Sequence, residues 1–184
     1  MHFERNIQLK DGRPCLLRGA GAADAEVLLE VFRRCHEETD FLLTYPEEIN
    51  ETAEQERELL EQKERSPNEI EIMAIVGGRA AGTAGIQCVG DKEKLRHRAE
   101  FGVSILKDFQ GIGIGRALTE SCIACAKEAG YAQLELGVVA DNVRAVSLYK
   151  SVGFVEYGRN PKGFLTRDGR YQENLHMRLE LREA

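Results

Sequence analysis

Three glycines alternate in the run Gln110-Gly111-Ile112-Gly113-Ile114-Gly115-Arg116. Glycine lets a backbone approach a ligand closely and turn several N–H groups towards one point. Where such a run opens a helix, the helix N-terminus adds partial positive charge, and the result is a cradle for an anion, phosphate above all. A turn that merely reverses the chain can have the same composition, so the run alone decides nothing. Ten residues upstream stands a carboxylate, Glu100, and further downstream a phenol, Tyr149. A carboxylate can accept a proton in a reaction, and a phenol can give one. Asn142, Val146 and Tyr149 recur at helical spacing and share one face.

Each of these residues has a plainer role to set beside the chemical one. Glu100 could be a solvated strand residue or the partner of Arg96 or Arg98. Partial burial would raise its carboxyl pKa and make it a better base. His97 is a second candidate base, although a lone histidine in a basic loop is more often a surface residue, and water is a third. Tyr149 could be a core tyrosine, since its neighbours Leu148 and Val152 read as core. Two familiar phosphate loops do not fit. A P-loop ends in Gly-Lys-Ser/Thr, and here the sequence is Gly115-Arg116-Ala117. The dinucleotide fingerprint would need a small residue where Arg116 or Leu118 stands.

The elements that must position these groups follow from periodicity. Pro14–Arg18 reads as a short strand. A helix follows Gly19-Ala20-Gly21, with Val27, Leu28, Val31, Phe32 and Cys35 as its apolar face. A second, mostly charged helix starts at Thr52, which with Gln55 forms a capping box, and stops near Ser66-Pro67-Asn68. Residues 70–76 and 80–89 make a hairpin about Gly77-Gly78. A strand over 99–106 runs into the glycine loop, and the helix behind it ends at Gly130. Then come a strand over 133–139, a helix over 141–151, a strand over 154–157 and a strand over 171–181. The last alternates Tyr171, Leu175, Met177, Leu179 and Leu181 with a polar face. This order predicts an α+β fold, layered α/β/α, with a mixed, largely antiparallel sheet and helices on both faces.

The 184 residues suit one domain spanning the whole chain, 1–184. With 42% apolar residues a core can form, so disorder is excluded as the main state. A formal net charge of −6 argues against a nucleic-acid binder. No apolar run is long enough to span a bilayer, and no secretory h-region follows Met1, so a cytoplasmic protein is expected. Five scattered cysteines suit reduced thiols. Cys122 and Cys125 have C-x-x-C spacing inside an apolar helical stretch, and buried small hydrophobes are expected there rather than a metal site.

The pattern Gln-x-x-Gly-x-Gly from Gln110 to Gly115, preceded by a strand carrying Glu100 and followed by Asn142-Val143-Arg144-Ala145-Val146-Ser147-Leu148-Tyr149 and Gly153-Phe154, resembles the GNAT superfamily of acetyl-CoA-dependent N-acetyltransferases. The resemblance is strongest over the motif core, 99–154. The first motif position is Gln110 where many relatives carry arginine. The resemblance implies acetyl-CoA as acyl donor, with no metal, and a small-molecule or peptide amine as acceptor. It implies that the CoA pyrophosphate lies on the amides of Gly111, Ile112, Gly113, Ile114, Gly115 and Arg116. The pantetheine arm would pair with Val103, Ser104 and Ile105 as an added strand between splayed central strands, touching Asn142, and a strand N–H would polarise the thioester. Glu100 would be the base and Tyr149 the acid in a ternary complex. The acids Glu37, Glu38, Asp40, Glu47, Glu48 and Glu51 would attract a cationic acceptor or form a solvated face. The alternative is a non-catalytic acyl-CoA-binding or regulatory module. No nucleic-acid or membrane partner is expected, and a homodimer stays open.

Overall fold

In the computed structural model, which describes residues 1–181, the outermost strand is one that the sequence pattern hides. β1 (Glu4–Gln8) is exposed along nearly its whole length, so its side chains show no alternation. It pairs antiparallel with β2 (Pro14–Gly19) and has no other neighbour in the sheet. An edge strand of this kind is held by its backbone and leaves little hydrophobic signature.

The remaining elements are α1 (Ala25–Glu37), α2 (Ala53–Arg65), β3 (Ile70–Val76), β4 (Arg79–Cys88), β5 (Arg98–Ile105), α3 (Ile114–Glu128), β6 (Gln133–Val139), α4 (Val143–Ser151), β7 (Val155–Leu165) and β8 (Tyr171–Glu180). The eight strands form one sheet in the order β1-β2-β3-β4-β5-β6-β8-β7. Every neighbouring pair is antiparallel except β5 and β6, which run parallel. The mixed, largely antiparallel sheet read from the sequence is therefore present. Between β3 and β4, Gly77 and Gly78 have φ of 57° and 78°. A two-residue turn with both central residues left-handed matches strand twist and favours glycine.

Alternation in β3 sorts the layers. Ile70, Ile72, Ala74 and Val76 face a core completed by Leu118, Cys122, Cys125 and Ala126 of α3. Met73 faces the other way, onto Ala25 and Leu28 of α1 and Leu60 of α2. Glu71 shares that second face. Its carboxylate takes Lys63 Nζ of α2 at 2.7 Å and the Thr83 hydroxyl of β4, so a nearly buried ion pair fastens α2 to the sheet. Thr52 caps α2 as expected, accepting from Gln55 N at 3.2 Å while Thr52 N donates to Gln55 Oε1 at 2.9 Å.

Several expectations are corrected. The buried face of α1 is Ala25, Leu28, Leu29, Val31, Cys35 and His36, whereas Val27 and Phe32 are exposed. His36 is tolerated there because Nδ1 lies 2.7 Å from Phe32 O. β7 extends far past 157, through Pro161, because it is the other sheet edge and bends at two register shifts. An edge strand with such irregularities can carry proline. Tyr171, the first residue of β8, is exposed, whereas Leu175 and Met177 further along the strand are buried. Cys122 and Cys125 are core residues, and burial pushes the Cys125 thiol up to about 11 and that of Cys122 well above its usual range. No helix among the described residues is long and apolar enough to cross a membrane.

Candidate active site

β5 and β6 part company part-way along. Their ladder consists of Arg98↔Gln133, Ala99↔Leu134 and Glu100↔Glu135. Beyond that point β6 continues to pair with β8 as far as Val139, while β5 runs on to Ile105 beside β4 alone. The residues of β5 past Glu100 thus offer backbone N–H and C=O groups to whatever enters the gap. A cleft of about 770 Å³ opens there, floored by Val103, Ser104 and Ile105 and walled by the glycine loop and α4.

The loop is built as a cradle. Gly111 and Gly113 have φ of 86° and 107°, and Gly113 is the N-cap of α3. The first in-helix bond runs from Ala117 N to Gly113 O. The amides of Ile114, Gly115 and Arg116 therefore have no partner one turn back and face the loop end. Gln110 fixes the loop to the strand, its Nε2 donating to Ile105 O at 3.0 Å. A Cβ on Gly115 would lie 3.2 Å from Ile105 Cδ1 and 3.5 Å from Leu148 Cδ2, so glycine there permits the close approach of α3 to β5 and α4. Ile114 is buried and contributes its amide, not its side chain.

Asn142 caps α4, its Oδ1 accepting from Ala145 N at 3.2 Å. Its carbonyl is thus committed to the helix, which leaves its amide N–H₂ as the group free to donate, and the residue lines the cleft. Tyr149 lines the same cleft, with its ring packed edge-on to Phe101 at 6.1 Å and against Phe154 at 5.8 Å. Burial pushes its phenol up to about 12.

Glu100 stands elsewhere than expected. It is exposed rather than partly buried, and it does not line the cleft. Neither suggested partner holds it: Arg98 makes a two-pronged pair with Glu135, with Nη2 to Oε2 at 2.7 Å, and Arg96 lies 3.8 Å from Glu93. Gly102 is next on the same face, and a Cβ there would meet nothing within 4 Å. Open space therefore lies beside Glu100, at the apex of the gap. His97 is a surface residue whose carbonyl accepts from Ala132 N and Gln133 N.

The acids of the α1–α2 region are dispersed. Glu38 lines the cleft and accepts from Lys107 N at 2.6 Å, Glu48 accepts from Tyr45 N, and Glu47 pairs with Arg167 of the β7–β8 turn. Arg167 also lies over the Tyr45 ring at 3.7 Å, and Gln172 Nε2 donates to Asp40 O at 3.2 Å, so the two loops bridge one another. Sequence reasoning missed the cations of the cleft, Lys10, Lys107 and Arg144. Arg144 Nη1 reaches Gln110 Oε1 at 3.4 Å, and Nη2 would lie 3.0 Å from a Cβ on Gly111. Its place two residues after Asn142 was the one available signal.

A gap between two parallel strands, a glycine cradle at its mouth and a phenol along its wall are the setting in which the comparison with known proteins speaks. The model of the acetyltransferase (GNAT) family matches residues 27–154. The chain belongs to this family. The match of this GNAT chain to the [ribosomal protein bS18]-alanine N-acetyltransferase of Escherichia coli is 38% identical over 93 residues, half of this chain and 60% of the relative. To the L-amino acid N-acyltransferase MnaT of Escherichia coli it is 33% identical over 89 residues, 48% of this chain and 51% of the relative. These alignments thus span little more than half the length of the curated relatives. Solved structures extend the likeness over the whole fold. A GNAT-family acetyltransferase from Streptococcus pneumoniae superposes with a TM-score of 0.87 at 29% identity, covering 90% of this chain and 99% of that one. The Salmonella typhimurium protein yncA, solved with its cofactor acetyl-CoA, superposes at 0.82 with 21% identity, covering 91% and 94%, and supports the GNAT fold.

Proposed function

We propose that this chain transfers the acetyl group of acetyl-CoA directly to an amine of a small molecule or peptide, in a ternary complex. The observation that carries this reading is the parting of β5 from β6 immediately beyond Glu100, next to the glycine cradle. Acetyl-CoA supplies an activated thioester. The amides of Gly111 to Arg116 receive its diphosphate, and the same loop fits a phosphate because side chains at Gly111 and Gly113 would crowd the approach. The free edge of β5 at Val103, Ser104 and Ile105 receives an extended, amide-bearing arm as a neighbouring strand would.

Glu100 takes the proton from the acceptor ammonium, directly or through one water, in the open space over Gly102. Tyr149, on the far side of the strand, gives a hydrogen bond or its proton to the departing thiolate. Direct transfer is favoured over an acetyl-cysteine intermediate. The sulfur among the residues lining the cleft is that of Cys35, and burial with the nearby Glu38 charge pushes its thiol up to about 12. A thiol held protonated is a poor nucleophile. The acceptor enters from the face of Glu100, past the bridge of Tyr45, Glu47 and Arg167.

The test is release of free CoA thiol from acetyl-CoA against a panel of amino acids, polyamines and short peptides, with products weighed by mass spectrometry. Thiol release that tracks an acetylated amine supports the reading. Tight CoA binding without release over the panel would make the chain a binding module.

A further inference from the structure

A second cleft of about 400 Å³ lies on the other side of the glycine loop, between the edge strand β1 and the first turns of α3. It shares Lys10, Gly113 and Arg116 with the larger cleft, so the two are continuous around the loop. Its charged lining is mostly basic: Arg5, Lys10 and Arg116, against Glu120, which stands 3.2 Å from Arg116. Among the described residues Arg5 and Lys10 enter no ion pair. In a chain of net charge −6, two unneutralised cations converging on one hollow are a feature to be explained.

Their positions are fixed by the β1–β2 turn. Lys10 N donates to Ile112 O at 3.0 Å, which docks the turn onto the glycine loop. The Lys10 stem crosses Gly113, with Cγ 3.7 Å from where a Cβ would stand. Lys10 lines the clefts on both sides of the loop.

We propose that this second cleft receives the 3′-phosphate of the donor's ribose, held by Lys10 and Arg5; this rests on the diphosphate lying on the amides of Gly111 to Arg116. CoA carries, one ribose away from its diphosphate, a phosphate monoester whose second pKa is about 6, so it is largely dianionic at neutral pH. From the cradle the pantetheine arm leaves towards the β5–β6 gap, and the nucleotide end must leave on another side. The larger cleft also holds Lys107 and Arg144, which enter no ion pair among the described residues, but Arg144 is tied to Gln110 and lies against Gly111, within the cradle itself. On the β1 side, outside the cradle, Arg5 and Lys10 are unpaired and line one hollow. A dianion there replaces the missing counter-charge.

The test compares CoA with dephospho-CoA, which lacks only the 3′-phosphate, by calorimetry. The wild-type chain should bind CoA on the order of tenfold more tightly, the size of a partly solvated charge-assisted contact. Lys10→Met and Arg5→Met should each bring the ratio towards one. Arg144→Met should weaken both ligands by a similar factor and keep the ratio. In the unmodified chain the ratio should also shrink between about 50 mM and 500 mM salt, as screening requires, so the result does not depend on any variant folding. A wild-type ratio of one, a ratio insensitive to Lys10 and Arg5, or a ratio abolished by Arg144→Met would each overturn the placement while leaving CoA binding intact. Failure of both compounds to bind the wild-type chain would instead remove the donor reading on which it rests.

Discussion

Glu100 and Tyr149 stand on opposite faces of β5. The ring of Tyr149 packs on Phe101, and the very next residue up the strand, Glu100, turns to the face shared by Gln87 and Gly102. The three-residue ladder with β6 ends at Glu100, so the gap opens between the two faces at this level. A thioester lying in that gap would have a proton acceptor on one side and a proton donor on the other. Strand alternation alone creates this separation of roles.

Tyr149→Phe isolates the donor. The ring and its packing remain, and only the hydroxyl is lost. Burial holds the phenol at about 12, while a thiol titrates near 8.5, so complete transfer ahead of C–S cleavage would be uphill. The hydroxyl therefore acts in concert with cleavage, or as a hydrogen-bond donor. Turnover should fall by about 10²-fold, the low end for a general acid. The affinity for acetyl-CoA should hold. The wild-type rate should show no basic limb from Tyr149 below about pH 11, because the group stays neutral there. A limb near pH 9 that vanishes in the Phe variant would show a depressed phenol and refute the concerted account.

Glu100→Gln tests the base. The side chain is exposed and without an ion pair, so the change should leave stability within about 0.5 kcal/mol. Turnover should fall by about 10²-fold near neutral pH and less at high pH, where more of the amine is already deprotonated. Rates measured from pH 6 to 10 decide the matter. A wild-type profile in the variant would pass the role to His97 or to water.

The glycine loop, the capping box at Thr52, the hairpin at Gly77-Gly78 and β6 were legible because each is a local pattern with a local cause. β1 was not, since Glu4 to Gln8 are held by one neighbour and bury almost nothing. The α1 stripe was read correctly at Leu28, Val31 and Cys35 and wrongly at Val27 and Phe32, because an apolar side chain looks like core until tertiary packing turns it outward. The candidate site brings together Gly111, Gly113 and Gly115, legible from their spacing, and Tyr149, singled out by the resemblance. Lys10 and Glu38 were not legible, because they arrive from segments about 70 to 100 residues away from the loop, and no periodicity records such a meeting. The exposure of Glu100 depends on which face the helices cover, which is a property of the sheet.

Gly113→Asp should weaken CoA more than Gly113→Ala does. Both side chains meet φ of 107°, a region that costs an L-residue about 1–3 kcal/mol. The protein itself leaves room for the new Cβ, since its nearest atom is Lys10 Cγ at 3.7 Å, so the two variants share the same crowding of the ligand. The Asp variant alone adds a negative charge to the helix N-terminus, where anions from the ligand should sit. Calorimetry should therefore show at least a further tenfold loss for Asp over Ala. Equal affinities in two folded variants would mean that no anion binds there.

The buried carboxylates behind α2 set a stability trend with pH. Lys63→Met keeps the stem but leaves Glu71 without its cation in a nearly closed site, and breaking such a pair costs about 3–5 kcal/mol. Lys63→Met combined with Glu71→Gln should recover much of that loss, because no unpaired charge remains. Glu56 lies close by, and its carboxyl is raised, first by burial and then by the Glu71 charge. A raised acid binds its proton more tightly when folded than when unfolded. Its ionisation therefore opposes folding: the stability it allows is fully present below the unfolded value near 4.3 and is lost as pH rises through the folded value. Glu56→Gln removes that loss. The variant should be more stable than wild type in urea unfolding at pH 7, and the difference should shrink towards zero at pH 4. A gain equal at both pH values would trace the effect to packing and not to charge.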